Sequence, residues 1–225
     1  MKKIMFNDRY GLTGAVLRGD KTMTRRIIPG IEIDWNRRGR VTLPVSGFEY
    51  GVLFMDVRSI LHDAGICDYS APAKYQPKYE VGEEVAISQA YQTLRWPALP
   101  GIDWKAITDE VTHSKGWANK MFVKAEYMPH RIRITGIKVE RLQDISDEDC
   151  LREGVYKHNA APDALGMDRY KFIAYAYNAT PGENIKRWWF QTPREAFAAL
   201  IDRISGRDTW QRNPWVYAYT FELIK

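Results

Sequence analysis

Ile132-Arg133-Ile134-Thr135-Gly136-Ile137-Lys138-Val139 sets the fold class of this chain. Apolar residues alternate with polar ones at Ile132 and Ile134, and the phase then switches at Gly136 to Ile137 and Val139. A strand with a bulge or bend at Gly136 accounts for that switch. Near the C-terminus Trp215, Tyr217, Tyr219, Phe221 and Leu223 alternate with Val216, Ala218, Thr220 and Glu222, which reads as a second strand rich in strand-forming aromatics. The segment from Tyr79 to Gln89 reads as a turn at Gly82 leading into a third, Val85-Ala86-Ile87-Ser88.

Helical signals separate these strands. Asp8 is a plausible N-cap for a first helix carrying Leu12, Ala15 and Val16, with Gly19 as its stop. Ser146 stands ahead of Asp147-Glu148-Asp149, acids that suit a helix N-terminus, and Gly154 can end that helix. Thr192-Pro193-Arg194-Glu195 combines a cap, a first-turn proline and a reciprocal glutamate, and Phe197, Leu200, Ile201 and Ile204 form the buried face behind it. Strands and helices together predict an α+β architecture.

The 225 residues suit one domain. It spans 1–225, with an irregular insertion at about 29–78 holding one hairpin and a helical elaboration at about 160–205. Arg37, Arg38 and Arg40 read as a flexible loop in that insertion. With 33 Lys plus Arg against 28 Asp plus Glu, the net charge of +5 favours an anionic partner without demanding one. Cys67 and Cys150 lie far apart, without zinc or disulfide spacing, and read as reduced thiols of a cytoplasmic protein. His62, His113, His130 and His158 are dispersed, so no metal and no other cofactor is expected. No segment resembles a secretory signal or reaches the roughly 18 apolar residues of a membrane span.

Lys21-Thr22-Met23-Thr24-Arg25-Arg26 gathers three cations and two hydroxyls in six residues. Such a cluster can bind a phosphate, activate a nucleophile, or both. A threonine hydroxyl attacks only when a base takes its proton, and a lysine serves as that base only if its surroundings bring its pKa below the usual value of roughly 10.4. Burial, or the neighbouring Arg25 and Arg26, can do so. Residues three apart oppose each other on a strand, so a Lys21–Thr24 constellation requires a turn or bend. The same residues also fit a solvated cationic surface with Thr24 capping a turn. Arg131 and Arg133 share one strand face and fit either a cleft lining or an outward charged face. Tyr91, Trp96 and Trp104 lie in loop-like sequence and are candidates for stacking on bases.

Several blocks of the chain resemble the ASCH domains of the PUA-like superfamily, particularly the longer prophage-type members. They are Gly19 to Arg26, Tyr127-Met128-Pro129-His130-Arg131-Ile132-Arg133-Ile134, Val139 to Asp149 followed by Glu153-Gly154-Val155, and Trp210-Gln211-Arg212-Asn213-Pro214-Trp215-Val216. They occur in the family's order. The resemblance implies a small β-barrel with flanking helices and a cleft, and recognition of RNA or a modified nucleotide. One branch of the family hydrolyses the acetamide of N4-acetylcytidine with a Lys, a Thr three residues later and a Glu, which implies Lys21, Thr24 and Glu153 here. Glu153 also fits an ordinary helix-end carboxylate. The chain departs from the prophage-type pattern at Ile87-Ser88-Gln89-Ala90-Tyr91, where members usually carry Val-Arg-Glu-Thr-Trp. The expected function is therefore binding of RNA or a modified nucleotide through Lys21, Arg25, Arg26, Arg131, Arg133 and Tyr91, with metal-independent amide hydrolysis as its enzymatic form. The alternative is a non-catalytic RNA-binding or protein-interaction module.

Overall fold

A computed structural model describes residues 1–28, 32–34, 40–42, 49–51, 77–94, 103–157, 170–172 and 190–224. The main sheet has the strand order β1 (Lys3–Ile4), β6 (Glu84–Ile87), β7 (Arg131–Arg141), β10 (Trp215–Ile224), β2 (Met23–Ile27). Only the β1–β6 pair is parallel among these neighbours. Around the sheet pack α1 (Leu12–Arg18), α2 (Trp104–Thr112), α3 (Asp147–Arg152), α4 (Pro193–Ser205) and the single turn α5 (Thr209–Arg212). The α+β class holds, and the described strands form an open sheet with β1 and β2 at its edges rather than a closed barrel.

The bulge expected at Gly136 is present. Thr220 pairs with Gly136 and Phe221 with Ile134, so Thr135 is the extra residue of β7. Its effect is to keep Ile132, Ile134, Ile137 and Val139 on one face, where they meet Leu223, Phe221, Tyr219 and Tyr217 of β10 in register. Without the extra residue, the period of two would turn half of them to the other face. Gly136 is also needed for space, because a Cβ there would lie 2.6 Å from Thr220 Oγ1.

A second core cluster covers the opposite face, with Val216 of β10 against Ala196, Phe197 and Ile201 of α4 and Cys150 of α3. The sheet curls strongly. Met5, just after edge strand β1, accepts a 2.7 Å hydrogen bond from Arg26 Nη2 on the opposite edge strand. Phe6 packs against Phe221 with 5.7 Å between ring centroids.

The local signals for helices are realised with one change. Gly19 ends α1 at φ +83°, while the entry to α1 is Gly11, and Asn7 rather than Asp8 caps the short 3-10 turn Asp8–Tyr10 that precedes it. Ser146 caps α3 and Thr192 caps α4 through a reciprocal box with Glu195. In the 29–78 region, β3 (Glu32–Asp34), β4 (Arg40–Thr42) and β5 (Glu49–Gly51) form an antiparallel three-stranded sheet, which is two hairpins rather than the one expected. Arg40 is therefore in a strand, while Arg37, Arg38, Cys67 and Trp96 lie outside the described residues. In the 160–205 region, β9 (Tyr170–Phe172) pairs with β8 (Val155–Lys157), and α4 follows. No described helix is long and apolar enough to cross a membrane.

The capping box sets where α4 begins, and α4 supplies apolar residues to both core clusters. Thr192→Ala should lower stability by about 1 kcal/mol, read as a lower urea midpoint at unchanged slope.

Candidate functional site

The segment leading into β2 is pinned to the end of α3. Gly19 turns the chain out of α1, and the Thr22 N–H donates to the Arg152 carbonyl at 3.0 Å. Lys21 is thereby laid beside Glu153, the C-cap of α3. Gly154 permits the approach: its φ is +102°, and a Cβ there would stand 3.0 Å from Leu12 Cδ2 and 3.7 Å from Lys21 Cδ. A side chain at position 154 would be strained and would press on the lysine stem.

Lys21 is 2% exposed. Its ammonium donates to Glu153 Oε2 at 2.6 Å and to the Glu153 carbonyl at 2.7 Å. Arg25, also buried, holds the other oxygen of the same carboxylate, with Nη1 at 3.1 Å from Glu153 Oε1. Its remaining nitrogens reach across the central strand: Nε donates to Glu140 Oε1 at 2.9 Å and Nη2 to Asp149 Oδ2 at 3.1 Å. Arg25 lies opposite Ala218 of β10, and Glu140 lies on β7 beyond it, so a small residue at 218 leaves the guanidinium room to cross. Lys138 then pairs with Glu140 from the exposed side. Two cations and two carboxylates thus alternate through the interior, with Asp149 and Lys138 at the margins.

Burial lowers the Lys21 pKa, against the pull of Glu153, and the charges of Arg26 and Arg25 lower it further. Burial acts the same way on Arg25, but Glu153 and Glu140 outweigh it, and the net shift is upward. The same surroundings thus shift the two cations in opposite directions, Arg25 up and Lys21 down.

This array forms one side of a pocket of about 310 Å³. Because β2 is an edge strand, residues from both of its faces reach the pocket, among them Thr24, Arg25 and Arg26. Lys21, just before the strand, and Thr24, within it, thus line the same pocket. Thr24 is buried, and its side chain makes no hydrogen bond to another described residue. Across from it α4 presents Phe197, Leu200, Ile201 and Ile204.

The structure brings Lys21, Thr24, Glu153, Arg25 and Arg26 together, and leaves the other expected residues elsewhere. Arg133 sits between Glu84 and Glu222 in register on neighbouring strands, at 3.0 and 3.3 Å, and Arg131 is 3.9 Å from Glu84. They form the outward charged face and do not line the pocket. Tyr91 is corrected as a stacking platform: it is 2% exposed, packs among Leu94, Val111 and Met128, and its hydroxyl accepts from the Lys124 N–H at 2.8 Å. A ring so enclosed has no free face for a base. Glu140 and Asp149, missed as partners of Arg25, carried only strand and helix-start signals. Phe6 and Phe197, which line the pocket, carried only core signals.

No family model matches the chain, and no curated protein or solved structure matches it. Among the described residues, no group of three or more His, Cys, Asp or Glu is arranged to hold a metal ion.

The lowered Lys21 pKa has a measurable consequence. Between that value and the ordinary 10.5, the unfolded chain binds a proton at Lys21 that the folded chain has released. Stability from this group therefore rises with pH across that window. The buried Cys150 thiol and Tyr79 hydroxyl, each pushed up by burial to about 12, act in the opposite sense at alkaline pH and are shared by wild type and variant. Urea unfolding of wild type and Lys21→Met, compared from neutral pH upward, should give a stability difference that shifts in favour of wild type as pH rises.

Proposed function

We propose that this protein binds an N4-acylated cytidine or a related acylated nucleoside in the pocket beside β2 and hydrolyses its exocyclic amide. The observation that carries this reading is the enclosed Lys21–Glu153 pair beside a threonine whose hydroxyl no described residue holds. Deep burial is where an amine can be made neutral enough to act as a base.

In the first step the neutral Lys21 amine takes the Thr24 hydroxyl proton while Thr24 Oγ attacks the amide carbonyl carbon. Glu153 Oε2, at 2.6 Å from Lys21 Nζ, relays a proton to the exocyclic nitrogen as the C–N bond breaks and the amine leaves. Water then attacks the acyl-threonine ester with the same base, releasing the carboxylic acid and restoring Thr24. Arg25 holds Glu153 from its far oxygen and keeps positive charge near Lys21, which favours the neutral amine. The apolar side chains of α4 suit a base and its acyl group.

The proposal extends to the fold. The curl that brings Met5 to Arg26 supports a PUA-like barrel of the ASCH kind, partly closed by side chains rather than by strand pairing. The blocks of sequence that resemble that family include Lys21, Thr24 and Glu153.

Incubation with N4-acetylcytidine should release cytidine and acetate. Lys21→Met and Thr24→Val should each reduce the rate by roughly 10²–10⁴-fold, while Thr24→Ser retains turnover. Absence of turnover in wild type, or turnover indifferent to both changes, overturns the enzymatic reading.

A further inference from the structure

The cations around the pocket divide into two kinds. Lys21 and Arg25 are answered by Glu153, Glu140 and Asp149. Arg26 is not: among the described residues its guanidinium bonds only to the uncharged Met5 carbonyl. It is half-buried and lines the pocket.

A chain of contacts links Arg26 to other cations at the same end of the sheet. Arg26 lies opposite Tyr217 of β10, next to the Thr24–Tyr219 pair. The Tyr219 hydroxyl accepts from the Lys78 N–H at 2.9 Å. Tyr79 packs on Tyr219 with 5.3 Å between centroids, and its hydroxyl donates to the Lys3 carbonyl at 3.0 Å. Lys78 is exposed, and among the described residues its side chain meets no carboxylate, lying instead over the Tyr79 ring. Lys3 donates its ammonium to the Met121 and Val123 carbonyls, again uncharged partners. Among the described residues, Lys2 alone of these cations has a carboxylate, Glu83 at 3.0 Å.

The electrostatics agree with this geometry. Partial desolvation lowers the Lys78 pKa even though the residue as a whole is exposed, and the charges that add to the shift are all positive, from Arg26, Lys3 and Lys2. Cations gathered without counter-charge are stabilised by a bound anion.

We infer that Arg26 and Lys78, with Lys3 behind them, form an anion subsite running from the pocket wall to the surface, which takes a phosphate group of the ligand. The ligand is then a phosphorylated nucleoside, either a free nucleotide or a residue within RNA. The nucleoside part of this statement rests on the proposed function, and the phosphate part does not.

Inorganic phosphate, titrated while backbone amide shifts are followed by NMR, tests the subsite by itself. Residues 26 and 78 should move together and saturate, and Lys78→Ala, a change at an exposed side chain, should abolish the effect. Calorimetry should then find cytidine 5′-monophosphate bound at least roughly tenfold more tightly than cytidine, the increment expected of a charge-assisted contact. Lys78→Ala and Arg26→Met should bring the two ligands level, and added salt should do the same. A short oligocytidylate that outcompetes the mononucleotide identifies RNA as the source of the phosphate; one that binds no better than cytidine identifies the free nucleotide. Shifts at 26 and 78 with neither nucleoside nor nucleotide bound would uphold the subsite and remove the nucleoside reading. Amides indifferent to phosphate, or a nucleoside that binds as tightly as its nucleotide, overturn the inference.

Discussion

The contact between Lys21 and Glu153, with Arg25 on the far side of the same carboxylate, is what the rest of the structure has to accommodate. Charges taken out of water are tolerated only when each meets a partner with good geometry, and losing one partner leaves the other dry and unanswered. Four elements are therefore committed to fixed positions. The entry to β2 brings the lysine, the end of α3 brings Glu153, β2 itself brings Arg25, and β7 brings Glu140. Between β2 and β7 stands β10, which contributes Ala218 and Val216 on that face. The array is thus a framework as well as a set of titratable groups, because it ties an edge strand to the sheet interior from above.

The sheet answers with asymmetric faces. One carries the large aliphatic and aromatic pairs of β7 and β10. The other is divided between the ion array under α3 and α4 and the exposed row of Glu84, Arg133 and Glu222. The bulge at Thr135 and Gly136 makes this division possible. It keeps the apolar pairs together along a long strand, while Lys138 and Glu140 remain on the other side.

Much of this was legible in the sequence because the signals were local. The phase switch at Gly136, the reciprocal cap of Thr192 and Glu195, and the alternation from Trp215 onward each depend on residues a few positions apart. The cluster Lys21 to Arg26 was legible as a concentration of cations and hydroxyls for the same reason. What stayed hidden was long-range. Nothing near Glu140 marks it as the partner of Arg25, and nothing near Arg133 tells that Glu84 and Glu222 will flank it, since those pairings follow from strand order. Tyr91 misled because short 3-10 turns look like loop sequence yet can pack a tyrosine inward. The second hairpin in the 29–78 region was missed because its strands are only three residues each, too short to establish a period.

The pairing of β2 with β10 also has a bearing on how the chain comes to be folded. Thr24 is matched to Tyr219, far along the sequence, so the wall bearing the threonine is joined to its neighbour only after β10 has been made. Nonlocal pairings of this kind are slow to close and leave apolar strand edges open in the meantime. During synthesis the segment from Lys21 to Arg26, with its concentrated positive charge, must wait for the aromatic residues of β10. A nascent chain halted before β10 would hold Lys21, Thr24 and Glu153 and still lack the strand against which the wall of their pocket is built.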